Sequence, residues 1–248
     1  MLARDLAEEA GRLLLDLRAR GGDPDVLRKA GDRLSHEFLA AELASRRPAD
    51  AVLSEEGIDD KARLTADRVW IVDPLDGTRE FGDEGRTDWA VHVALWERGA
   101  ESVGGLTAGA VALPAQGRVL STAQPPVLPA AGNTPLRIVV SRSRAPQLVC
   151  DVAALIGAEL VTCGSAGAKV ATVLSGETDA YLHAGGFYEW DTAAPVAVAA
   201  AAGCHASRVD GAVLGYNRAN PLMPDILVCR PAIAGLLLEA IREATHAI

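Results

Sequence analysis

The hexapeptide Asp73-Pro74-Leu75-Asp76-Gly77-Thr78 follows the apolar run Val69-Trp70-Ile71-Val72. A short apolar run opening into a Pro/Gly turn is the pattern of a buried strand at its carboxyl end. Two carboxylates three residues apart on such a turn can share hard cations, which take oxygen ligands. Gly77 and Thr78 add backbone N–H groups that suit a phosphate oxygen. Cations and amide donors converging on one point serve to bind a phosphoryl group and expose it to attack. The same residues also suit a plain turn, with Asp73 as its polar strand end. Phosphatases with an aspartyl nucleophile carry two acids two residues apart before Gly-Thr. Here the residue two before Asp76 is Pro74. The spacing therefore argues for metal ligation and an attacking water rather than a covalent phospho-aspartate.

Three further places offer carboxylates. Ser54-Glu55-Glu56-Gly57 follows the apolar Ala51-Val52-Leu53 and reads equally as a solvated loop. Tyr188-Glu189-Trp190-Asp191-Thr192-Ala193-Ala194-Pro195 precedes an Ala/Val-rich helical stretch that ends at Gly203. Asp191 and Thr192 stand where N-cap residues belong, so Asp191 suits a helix cap as well as a ligand. Asp32 follows Ala30-Gly31 and precedes the pattern Leu34, Phe38, Leu39, Leu43. It too reads as an acid at a helix start.

Together, Ser54-Glu55-Glu56, the hexapeptide, Gly164-Ser165-Ala166-Gly167 and Trp190-Asp191-Thr192-Ala193-Ala194-Pro195 resemble one family. In order and spacing they are similar to the Mg-dependent, lithium-sensitive inositol monophosphatases and 3′(2′),5′-bisphosphate nucleotidases. The resemblance runs from Leu6 to the last helix. Ser54 departs from it, since many members have Gly there, but both residues are small. Within the family the closer resemblance is to the bacterial CysQ-type bisphosphate nucleotidases. Val139-Val140-Ser141-Arg142-Ser143-Arg144 resembles the Ser-Arg-Ser segment those enzymes place near the nucleotide. Lys169 stands where nucleotidases tend to have Lys and inositol phosphatases an apolar residue. It is one of only three lysines, with Lys29 and Lys61. Taken alone, the Ser-Arg cluster also reads as a solvated loop, and Lys169 as an exposed helix residue.

The resemblance implies an α+β fold, a layered α-β-α-β-α sandwich with the site at the seam of its halves. It implies two to three Mg²⁺ per active site. Glu55, Asp73 and the Leu75 carbonyl would hold one, and Asp73, Asp76 and Asp191 the second. A weaker third would lie near Glu55 and Asp32. Thr78 would orient the attacking water, with Glu55 or Asp32 accepting its proton. Leu75, Asp76, Gly77, Thr78, Arg79 and Asp191 would meet the scissile phosphate. Ser141, Arg142, Arg144, Gly164, Ser165 and Lys169 would meet the rest of a nucleotide. The implied substrate is 3′-phosphoadenosine 5′-phosphate, hydrolysed to AMP and phosphate in connection with sulfate assimilation. Inositol monophosphate and fructose 1,6-bisphosphate are alternatives of the same chemistry. A metal-dependent nucleotide-binding protein without turnover is the alternative of another class, and the intact acid set argues against it.

The elements that must position these residues follow from periodicity. Helices are expected at 2–20 and 32–46, then strands at 50–53, 69–73, 89–96, 107–113 and 117–122. The Pro/Ala/Gly-rich 125–135 reads as a linker between an α+β half, 1–124, and an α/β half, 136–248. The second half alternates: strand 136–141, helix 145–156, strand 159–162, helix 166–175, strand 179–183, helix 192–202 and strand 204–209. Asp210-Gly211 is a hairpin signal, and strand 225–229 and helix 231–245 close the chain.

A chain of 248 residues can bury a real core. Its net charge of −9, from 33 acids and 24 bases, disfavours a nucleic-acid polymer or an anionic membrane as partner. A small phosphorylated substrate remains compatible, because bound cations invert the local field. No signal-peptide pattern opens the chain and no apolar run reaches spanning length, so a cytoplasmic protein is expected. Cys150, Cys163, Cys204 and Cys229 are far apart and read as reduced thiols. The five histidines read as surface or core residues rather than ligands. A homodimer is compatible with all of this.

Overall fold

The computed structural model describes residues 1–248 apart from Ala131, Ser143, Arg144, Ala247 and Ile248. The first helix, α1 (Leu2–Ala19), stops ahead of Gly21 and Gly22, both at positive φ. The second, α2 (Pro24–Arg46), starts well before Asp32, contrary to the expected boundary. Asp23 caps it by accepting from the N–H groups of Asp25 and Val26, and Pro24 takes the first helical position. Those two residues together are a stronger start signal than Ala30-Gly31. Asp32 thus projects from the middle of α2 and caps nothing.

Five strands then form the first sheet in chain order: β1 (Ala51–Ser54), β2 (Arg68–Asp76), β3 (Ala90–Glu97), β4 (Leu106–Leu113) and β5 (Arg118–Ser121). Only the pair β1–β2 is parallel. A short helix, α3 (Thr78–Gly82), leaves the end of β2 directly. Between β5 and β6 the described residues hold neither helix nor strand beyond a single bridge from Gln124 to Ser121.

The second sheet has β6 (Arg137–Ser141), β7 (Glu159–Cys163), β8 (Ala180–Tyr188), β9 (His205–Ser207) and β10 (Leu222–Cys229), in the order β7-β6-β8-β10-β9. β6 runs parallel to β7 and β8, while β10 is antiparallel to β8 and β9. Its helices are α4 (Gln147–Ile156), α5 (Ala166–Ser175), α6 (Glu189–Ala201) and α7 (Ala234–His246). Asp210-Gly211 is a local turn, closed by Arg208 N–H on the Ala212 carbonyl, and not a two-residue hairpin. A longer connection separates β9 from β10, because β10 already begins at Leu222.

The layers are α1/α2, first sheet, α5/α6, second sheet, α4/α7. This is the α-β-α-β-α sandwich the resemblance implied. Three apolar cores fill the gaps, the central one between the sheets around α5 and α6. α6 is buried almost all round from Thr192 to Ala199. A helix apolar on every side belongs inside a protein. Its alanines let the sheets close: a Cβ on Gly109 of β4 would lie 2.7 Å from the Ala197 Cβ and 3.1 Å from the Ala194 carbonyl oxygen. No helix among the described residues is long and apolar enough to cross a membrane.

Candidate active site

Along β2, Asp73 pairs with His92 and Asp76 with Ala90, so β2 carries one more residue than β3 between the two pairs. Side chains three apart on a regular strand point to opposite faces. The extra residue of this bulge reverses that parity and brings Asp76 round to Asp73. The bulge is tied down on both sides. Asp73 Oδ1 accepts from the Leu75 N–H at 3.0 Å, and Ser35 Oγ on α2 donates to the Pro74 carbonyl at 2.7 Å.

Asp191 arrives from the far half as the third residue of α6, not as its cap. Tyr188 is the N-cap, and Asp191 Oδ2 accepts the Tyr188 N–H at 2.6 Å. The helix-start reading and the ligand reading therefore describe one side chain. Asp73, Asp76 and Asp191 each bring an oxygen within 4.8 Å of the others.

These acids crowd one another. Burial, followed by the charges of Glu55, Asp76 and Asp191, holds Asp73 well above the usual carboxylate range. Burial and Asp76 push Asp191 up to about 6. Glu55 follows β1 and is exposed along much of its length, but its carboxyl lies within hydrogen-bond reach of Asp73. Desolvation there and the Asp191 charge push it up to about 7. Asp76 is the exception. Burial pulls it upward, but His92, Lys169 and the Gly167 N–H outweigh that and leave it low. Carboxylates forced together at raised pKa, with oxygen donors only, fit a hard divalent cation, whose charge would relieve the repulsion.

Asp32 reaches the same place from α2. Thr78 Oγ1 lies 3.1 Å from Asp32 Oδ1 and 3.0 Å from the Leu75 carbonyl, so one hydroxyl proton faces two acceptors. Burial pushes Asp32 up to about 6, against the Thr78 hydrogen bond.

A cavity of about 390 Å³ opens over Asp76 and Asp191, between α3 and the second half. Gly77, at φ 86°, turns the chain from β2 into α3 under Ser165, where a Cβ would come within 3.0 Å of the Ser165 Cβ. Thr78, Arg79, Ser141, Gly164, Ser165 and Lys169 all line this cavity. Arg79 is exposed. Ser165 caps α5, its Oγ accepting the Ala168 N–H at 2.8 Å. Gly164 donates its N–H to Asp88 Oδ2 at 2.6 Å. Lys169 is 5% exposed, unlike the exposed helix residue its sequence context also allowed. Its Nζ contacts the Gly164 carbonyl and lies 5.4 Å from the centre of the Tyr181 ring, and burial lowers its pKa. Arg142 is held outside the cavity lining, paired with Glu80 at 2.9 Å and Asp83 at 3.1 Å. Arg144 and Ser143 lie outside the described residues.

Sequence reasoning passed over Asp88, whose carboxylate and carbonyl hold the Gly164-Ser165 turn. An acid in a loop carries no distinguishing signal. It also missed the aromatic side of the cavity, Tyr181, His183 and Phe187 on β8; Phe187 lies beyond the expected strand end at 183, and which face of the strand meets the cavity depends on packing against the other half. His92 was set aside with the other histidines, yet it touches Asp76. A single polar residue inside Val91-His92-Val93-Ala94 was the available clue.

The chain matches the description of the inositol monophosphatase family over residues 5–246. A 3′-phosphoadenosine 5′-phosphate phosphatase of Mycobacterium leprae is 51% identical over 251 residues, covering 98% of this chain and 93% of the relative. A 3′(2′),5′-bisphosphate nucleotidase CysQ of Escherichia coli is 30% identical over 230 residues, covering 86% and 91% respectively. Among solved structures, CysQ from Bacteroides thetaiotaomicron matches with a TM-score of 0.76 at 27% identity, over 92% of this chain and 95% of that one.

Proposed function

The chain belongs to the inositol monophosphatase family, and on that premise we propose that it is a Mg²⁺-dependent phosphomonoesterase releasing phosphate and AMP from 3′-phosphoadenosine 5′-phosphate. One observation carries this: three carboxylates converge within 4.8 Å, and two of them, Asp76 and Asp191, line a cavity that the buried Lys169 also lines. The names of the relatives at 51% and 30% identity support the substrate.

Glu55, Asp73 and the Leu75 carbonyl would hold one cation, and Asp73, Asp76 and Asp191 a second. Glu55 with Asp32 would hold a third, weaker one. Bound there, divalent cations neutralise phosphoryl oxygens, acidify a water and steady the leaving oxygen. The chain's own residues do the rest. Thr78 donates its one hydroxyl proton to Asp32 or the Leu75 carbonyl, which leaves its oxygen able to accept from a water and fix its direction. Asp32, which accepts from Thr78, and Glu55, beside Asp73, would accept that water's proton. The N–H groups of Gly77 and Thr78 hold the phosphate, with Arg79 beside them. Lys169, with Gly164 and Ser165, meets the second phosphate of the nucleotide, and Ser141 borders it, while Arg142 stays outside, paired with Glu80 and Asp83. The unit of function is the whole sandwich: 1–124 supplies most ligands, 136–248 supplies Asp191 and the nucleotide wall, and 125–135 joins them. The four free thiols support a reducing, cytoplasmic setting.

The test is kcat/KM with Mg²⁺ on 3′-phosphoadenosine 5′-phosphate, inositol monophosphate and fructose 1,6-bisphosphate, repeated after chelation. The bisphosphate nucleotide should be favoured and chelation should abolish turnover. A higher value on a sugar phosphate would overturn the substrate assignment. A stable acyl-phosphate trapped on Asp73 or Asp76 would overturn the water-attack chemistry.

A further inference from the structure

His92 is fully buried on β3, beneath the acids. Its ring spans two elements from opposite halves of the chain. Nδ1 donates to the Trp190 carbonyl at 3.2 Å, one residue before Asp191. Nε2 lies 3.1 Å from Asp76 Oδ2, a contact made by proximity rather than by well-aligned hydrogen bonding. The same Oδ2 accepts the Gly167 N–H from α5 at 2.8 Å. Gly167 has no room for a side chain, because a Cβ would fall 2.2 Å from His92 Nε2. One imidazole thus meets β2, the start of α5 and the start of α6 at a single point.

This placement has a consequence for the acids. Asp76 Oδ2 accepts from the Gly167 N–H and abuts His92 Nε2, which leaves Oδ1 as the freer oxygen. Asp191 is fixed through the neighbouring carbonyl that His92 holds. We propose that His92 is a positioning residue that locks Asp76 and Asp191 to each other across the two halves and so sets the affinity of the cation they share. The proposal rests on the metal reading of these acids. Outer-shell partners of metal ligands commonly change affinity by about 10–100-fold when removed.

The experiment is calorimetric titration of chelator-stripped protein with Mg²⁺ at fixed pH, with thermal melts in chelator and in Mg²⁺. Four proteins are compared: wild type, His92→Leu, His92→Gln and Asp76→Asn. His92→Leu should weaken the Mg²⁺ bound through Asp76 and Asp191 by about tenfold or more. His92→Gln keeps an amide N–H of similar reach and should recover part of that loss. If His92→Leu does not fold, His92→Gln must still bind Mg²⁺ at least about threefold more weakly than wild type, or the proposal fails. Unchanged Mg²⁺ affinity in a folded His92→Leu, with melting lowered equally in both media, overturns it, since that is a packing role alone. Asp76→Asn separates the premise: if it too leaves Mg²⁺ binding untouched, the metal reading itself is wrong.

Discussion

Asp73 and Asp76 sit on the second strand of a five-stranded sheet, with helices covering both faces. Ser141, across the cavity, ends β6 of the other sheet, and Gly186 sits where β8 is irregularly paired with β10. The acid floor is fixed by a bulge, a helix start and a buried histidine, each tied to a different layer. The Gly164-Ser165 wall borrows its order from side chains: Asp88 holds Gly164, and Ser165 caps α5. Chemistry common to a family is placed where packing over-determines it, and substrate choice where the chain can vary without disturbing the core. Lys169 belongs to both sides. It lines the cavity, yet its charge also lowers the pKa of Asp76 on the floor.

The contrast breaks first at Asp73. Asp73→Ala should cut kcat by more than about a hundredfold, at least ~2.7 kcal/mol of barrier, while circular dichroism stays native. Retention of kcat within about tenfold would remove the shared-ligand role. Lys169→Ala sharpens the division between floor and wall. A lost charge-assisted contact should cost roughly 1.5–3 kcal/mol on the bisphosphate nucleotide and leave inositol monophosphate hydrolysis much as it was. Equal losses on both substrates, with altered Mg²⁺ dependence, would move Lys169 from the wall to the floor. Asp191→Asn comes next. It should raise the Mg²⁺ needed for half-maximal activity by about tenfold. An unchanged Mg²⁺ dependence with lowered melting would leave Asp191 only its Tyr188 cap.

The smallest effect is on stability. Burial first, and then neighbouring carboxylates, raise Asp32, Asp191 and Glu55 to about 6, 6 and 7. Their folded forms therefore hold protons that the unfolded chain has already released above about pH 4. The sign follows: metal-free protein should lose stability as pH rises from about 4 through 7, and saturating Mg²⁺ should flatten the fall. Thermal melts across that range, with chelator and with Mg²⁺, check it. A melting temperature that climbs toward pH 7 without metal would show that these carboxyls are not strained together.

Much of the floor was legible because Asp73, Leu75, Asp76, Gly77 and Thr78 are contiguous, and a strand running into a turn is a local pattern. The bulge was not, since it exists only relative to β3. Asp32 was singled out for the wrong local reason: its own surroundings suggested a helix start, while Asp23-Pro24 supplied one earlier. Asp191 was read as either cap or ligand because sequence offers one role at a time, whereas a carboxylate has two oxygens. His92 and Asp88 stayed silent because the Trp190 carbonyl and the Gly164-Ser165 turn they hold come from the far half of the chain. The α-β-α-β-α layering rested on the family resemblance, and periodicity alone gave only strands first and alternation later.

The alanine-lined helix α6 also sets a thickness. Sheet one rests on its backbone at Gly109, against the Ala194 carbonyl and the Ala197 methyl. Gly109 is on β4, two strands from the acids of β2, yet Asp191 rides on the same rigid helix less than one turn from Ala194. α6 therefore works as a feeler gauge between two plates. Inserting a methyl group at Gly109 would widen the gap, and the misfit would be read out at Asp191 as a displaced oxygen. Tolerance to substitution in this molecule should thus follow contact with α6 rather than distance from the acids.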